Sequence, residues 1–186
     1  MTDILIKASA VTGVQIHEYA IIPANKIVFS LELLNYCKTN TCGYYNKSWT
    51  CPPACASIEE QRKKILLYKN VLVFTTMFKL EDSFDYEGMT NGRELHTLLT
   101  IELKNRLGDI PVYGAGSCPV CVNEEGENLC AFPSACPYPE KKIESLEAAG
   151  INVTELSKSA GIKYNNGPDT VTFFTMVPGT YRGNSL

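Results

Sequence analysis

Residues 71–78 read VLVFTTMF, residues 91–108 read NGRELHTLLTIELKNRLG, and residues 111–114 read PVYG. The first run is short, apolar and rich in β-branched and aromatic residues, the pattern of a buried strand. In the second, Asn91 with Glu94 three positions on opens a capped segment, and Leu95, Leu98, Leu99, Leu103 and Leu107 recur at helical spacing. Gly108 is placed to stop that helix. After Asp109 and Ile110, the third run is a short strand. Strand, helix and strand over this length make a βαβ unit, with parallel strands and a right-handed crossover. The fold class that follows is α/β.

Working outward, Ser57-Ile58-Glu59-Glu60 is a capping box that starts a helix over 57–69. Residues 14–22 (VQIHEYAII) read as a strand, and 26–34 (KIVFSLELL) as a strand or the start of a helix, around Pro23 and Asn25. Downstream, short helices are expected at 140–149, stopped by Gly150, and at 154–160, stopped by Gly161. TVTFFTMV (170–177) reads as a last strand, followed by a polar tail over 179–186. No repeat is evident. The expectation is a single domain over residues 1–186 with a mixed sheet and two cysteine-rich metal-binding loops, 37–55 and 116–139. Ligand sites of open α/β sheets lie beyond the carboxyl ends of strands, and Cys118 stands just past such an end.

The chain of 186 residues is long enough for one real core, and 45% apolar with 20% charged residues is an ordinary globular composition. A net charge of −3 and a pI near 5.5 leave no basic footprint for nucleic acid or an anionic membrane. The start, MTDILIKASAVTGV, has no signal-peptide pattern, and no run reaches the roughly 20 apolar residues of a membrane span. These features lead to an expected cytoplasmic location. In a reducing compartment cysteines serve metal or redox chemistry rather than disulfides. The sequons at Asn46 and Asn152 are then incidental.

The eight cysteines fall into two groups: Cys37-x4-Cys42-x8-Cys51-Pro-Pro-x-Cys55 and Cys118-x2-Cys121-x8-Cys130-x5-Cys136. Four thiolates complete a tetrahedral zinc site or a cubane cluster. Structural zinc favours two close Cys-x2–4-Cys pairs, a spacing found only in part here. Irregular spacing with the steps Cys51-Pro52, Cys118-Pro119 and Cys136-Pro137 suits cluster ligation, because proline sets the turn and withholds an N–H from the sulfur. Two [4Fe-4S] clusters are therefore the first expectation, with zinc the alternative. Tyr44, Tyr45 and Trp49 lie inside the first loop, placed either to cover a cluster or to pack on the core.

At these residues the chain resembles a cysteine-rich bacterial and archaeal family of predicted metal-binding proteins, a domain of unknown function. The resemblance is carried by Cys42-Gly43-x-Tyr45, Trp49-x-Cys51-Pro52-Pro53 and Gly116-x-Cys118-x2-Cys121. It continues through Cys136-x-x-Pro139-Glu140-Lys141 to Ser145-x-Glu147-Ala148-x-Gly150-Ile151-x-Val153. The family pattern has Cys-x2-Cys-x2-Cys and later Cys-Arg-x-Pro; here position 124 is Glu, the third cysteine is Cys130, and Pro137 follows Cys136. The resemblance implies metal binding and no particular reaction.

Other chemistry is thinly represented. His17 falls in a predicted strand and His96 beside the leucine stripe, both away from the cysteines in sequence. There is no Gly-x-Ser-x-Gly, and Gly114-Ala115-Gly116 lacks the rest of a phosphate loop. Arg62, Lys63 and Lys64 form a small solvated basic run that could dock an acidic redox partner. Three functions remain open: a redox protein passing electrons to a protein partner or a small-molecule substrate, a zinc-stapled interaction module, and an enzyme with an open iron site for which Cys130 is the spare ligand. Whether the protein is an enzyme stays undecided at this level.

Overall fold

The computed structural model describes residues 2–123 and 129–179. The interior strand β2 (Asn70–Lys79) alternates its side chains between two faces, as a pleated strand must. Val71 and Val73 enter one core with Ile65, Tyr113, Ile151, Leu156 and Met176. Leu72 and Phe74 enter the other with Leu5, Leu99, Leu103, Val112 and Val177. Both faces being covered explains why VLVF is a continuous apolar run rather than an alternating one.

The sheet order is β1 (Glu18–Pro23), β2, β5 (Thr170–Gly179), β3 (Tyr113–Gly114) and β4 (Glu144–Ser145). β5 is antiparallel to both β2 and β3, so these two run parallel, as the βαβ reading expects, with β5 inserted between them. β3 and β4 are parallel, and β1 and β2 antiparallel, which makes the sheet mixed. The crossover α4 (Tyr86–Leu107) covers one face together with α1 (Thr2–Thr12). The short helices α3 (Ile58–Leu66) and α5 (Val153–Ala160) belong to the other side, and α2 (Glu32–Lys38) carries the chain into the first cysteine segment.

Local chemistry accounts for the ends. Ser57 caps α3 with the full reciprocal capping box to Glu60. Asn152 caps α5 through its side chain, and Gly161 closes it in the left-handed region that glycine tolerates. The cap of α4 lies six residues before Asn91, because Asp85 accepts the Gly88 N–H and takes that place instead. Lys104 folds back at the other end and donates to the carbonyls of Gly108 and Ile110.

Three expectations are corrected. Residues 140–149 are not a helix: Ile143 to Leu146 are all buried, which no one-sided helix allows, and the segment supplies β4 followed by turns. Of the two readings of 26–34 the strand falls and the start of a helix stands: α2 begins at Glu32, and between residues 27 and 31 there is a bridge from Phe29 to Ile151 rather than a strand. The leucine stripe of α4 is split, with Leu99, Leu103 and Leu107 buried and Leu95 and Leu98 exposed. α1 is an additional helix that the sequence reading lacks. The polar tail beyond Gly179 lies outside the described residues, as does Glu124.

Candidate metal centres

Cys37 sits in the last turn of α2 and Cys42 on the exposed turn beyond it, where Asn40 adopts φ 53 and its side chain accepts the Tyr45 N–H. Cys51 is buried, and the Cys55 N–H donates to its carbonyl. None of the eight cysteines is paired in a disulfide. Burial pushes Cys51 up to about 12, and repulsion by Cys42, Cys55 and Cys37 adds to the rise. Cys55 goes to about 11, chiefly by burial, then through Glu144 and Cys37. Cys37 is raised by burial, Cys42 and Glu147. The first four thiols thus share one neighbourhood.

The second group behaves alike. Burial raises Cys118 most, with Cys121 and Cys130 adding, while hydrogen bonds from the Ile143 and Val120 backbone oppose the rise by stabilising its thiolate. Cys121 is raised by burial, Cys130 and Cys136. All four of these cysteines line one small cavity with Trp49 and Tyr138. Among the described residues no three Cys, His, Asp or Glu side chains already stand in metal-binding geometry. The chemistry of the donors still fits a soft or borderline metal: thiols only, crowded and mutually repelling, with backbone N–H groups directed at one sulfur.

The two segments are fastened to each other. Trp49 donates its indole N–H to the Ser134 carbonyl at 2.9 Å and meets the Phe132 ring edge-on at 5.0 Å. The Cys118 N–H donates to the Thr50 hydroxyl at 3.0 Å, and Thr50 is itself held by Ser48. Trp49 therefore packs on the second segment, not on the sheet core.

Cys118 also lines a cavity of about 600 Å³ that holds Cys37, Cys42 and Cys51 on one wall. The rest of that cavity contains no thiol. Arg93, Glu94, Thr97, Leu98 and Ile101 of α4 form another wall, and Ser145, which ends β4, with Glu147 just past it, a third. Sequence reading misses the α4 residues because a helix stripe shows period, not which leucines face a cavity. Ser145 and Glu147 do belong to the motif that carries the family resemblance. Glu147 is half-buried and accepts from Ser145, and burial raises its carboxyl.

The histidines lie elsewhere. His17 meets Asn166 at the surface. His96 is buried on α4 between Thr76 and Thr175, within the buried stripe rather than beside it. Lys64 pairs with the buried Glu144 at 3.8 Å. Among the described residues no helix is long and apolar enough to cross a membrane.

Residues 20–177 match a family described as "Predicted metal-binding protein (DUF2284)". No curated protein and no solved structure matches the chain.

Proposed function

The chain belongs to this family of predicted metal-binding proteins, and from that premise we propose that its two four-cysteine groups hold two iron–sulfur clusters used for electron transfer or cluster-based redox chemistry. Cys37, Cys42, Cys51 and Cys55 would hold one cluster, and Cys118, Cys121, Cys130 and Cys136 the other. Such a group, when bound, supplies one-electron exchange. The observation that carries the reading is Cys118. It lines both the cavity of its own group and the cavity of the first group, so the two thiol sets adjoin across a single residue. Adjoining redox centres suit electron relay; two independent structural staples have no need to touch.

The protein's own groups do the tuning. Backbone hydrogen bonds to the Cys118 sulfur stabilise its thiolate, and Trp49, held edge-on by Phe132, lines the second site. Tyr44 and Tyr45 stand on the cavity wall of the first. Anaerobic purification should give a brown protein with iron and sulfide near four of each per thiol set, and an EPR signal on reduction. A colourless protein carrying stoichiometric zinc would overturn the reading.

A further inference from the structure

The 600 Å³ cavity is larger in kind than a cluster site needs. A cluster held by its own thiolates occupies the space among those sulfurs, whereas here cysteines are four of the twenty residues that line the cavity. The remaining walls are of the type that binds organic ligands: mostly apolar, with a few polar groups converging, and of a size within the usual ~300–1,000 Å³ range. Tyr44 and Tyr45 are ring systems, and Pro52 and Pro119 are rigid. Leu98 is 49% exposed, a poor arrangement for a leucine facing water alone, yet it faces this cavity.

The polar groups restrict the occupant. Arg93 is exposed at the cavity and makes no ion pair among the described residues, so its guanidinium is available to a carboxylate. Glu94 and Glu147 stand on the same cavity and disfavour a second negative charge. We propose that this cavity binds a small monocarboxylic acid with a flat apolar body, its carboxylate on Arg93 and its body between Leu98 and the Tyr44–Tyr45 wall, against the first cysteine group. That the acid binds there does not rest on the cluster reading.

The probe is 2-naphthoate, added to anaerobically purified protein and followed by its fluorescence and by ligand-detected NMR. The uncharged 2-naphthamide and the dianion 2,6-naphthalenedicarboxylate serve as comparisons. Wild-type protein should bind the monoanion saturably and more tightly than either. Arg93→Gln should weaken naphthoate about tenfold, the loss of one charge-assisted contact, and leave naphthamide unchanged. Leu98→Trp should fill the cavity and weaken both. Neither variant should change iron content. Absence of saturable binding to the metal-loaded protein, or binding indifferent to both substitutions, would overturn the proposal. Binding at Arg93 by a protein free of iron would uphold the site and remove the cluster reading. Iron without naphthoate binding would do the reverse.

Discussion

His96 is the residue at which burial and titration are most tightly joined. Its ring contacts Thr76 through Nδ1 and Thr175 through Nε2, both at 2.9 Å, and Thr100 completes the group at 3.1 Å from Thr175. A neutral imidazole donates from one nitrogen and accepts at the other, which the threonine hydroxyls can match. A charged one would have to leave water for the core, so burial pushes its pKa from 6.5 to about 4. Between those values the unfolded chain holds a proton that the folded chain refuses. Stability therefore rises with pH through this window and is lost as pH falls. His96→Gln keeps an amide donor and acceptor but does not titrate. Wild type should be the more stable at pH 7, and its advantage should shrink by about 2 kcal/mol by pH 5. Denaturant melts of the two proteins at both pH values check this, and a constant difference would refute it. Gly92, one turn earlier, is limited by space: a Cβ there would stand 2.8 Å from the Phe78 ring. Gly92→Val should cost about 1–3 kcal/mol, read in the same melts.

Among the elements, those with a complete local signature were legible in the sequence. The capping box of α3 needs only four residues, and β2 and β5 announce themselves by unbroken β-branched and aromatic runs. Where the deciding interaction is tertiary, sequence reading fails. Glu144 is a buried carboxylate stabilised by Lys142 at 3.0 Å, a pairing that no helical pattern reveals, and it turns the expected helix at 140–149 into a sheet edge. Asp85 displaces Asn91 as the cap of α4 because the chain before it folds back to hydrogen-bond with it. The two cysteine groups are legible as groups, while the cavity between them and α4 is not, since its walls come from four separate segments spread between Cys37 and Ala148. The fastening of the two loops is likewise tertiary, and it makes an element-scale prediction. Trp49→Ala removes both the bond to Ser134 and the Phe132 contact. Thr50→Val removes the acceptor of the Cys118 N–H. Either change should make the second metal group more labile than the first, seen as preferential loss of one of two EPR signals and a lower iron count. Equal loss from both groups, or none, would show that the loops do not depend on this contact.

The whole molecule divides into a three-layer body and a thiol-bearing end, and the division has an energetic consequence. Val71, Leu72, Val73, Phe74, Leu99, Leu103 and Met176 are fully buried in cores that contain no cysteine. Burying side chains of this kind stabilises by about 1.5–3 kcal/mol each. The cysteine segments offer little comparable: Cys42 is exposed, most of the other thiols are only half-buried, and burial with neighbouring cysteines makes Cys51 and Cys121 harder to ionise. A bound cation stabilises the thiolates that ligate it, and metal-binding energy becomes folding energy for the segments that carry them. Stability of the body and stability of the loops are then separate quantities, as in proteins that open sub-globally. Chelation should accelerate amide hydrogen exchange over 37–55 and 129–138 by orders of magnitude while leaving β2, β5 and the buried half of α4 protected. Circular dichroism should change little, and the naphthoate site should lose affinity, because one of its walls belongs to the released loop. If chelation instead exposes β2 and β5, the metals belong to the same cooperative unit as the core, and the body does not stand without them.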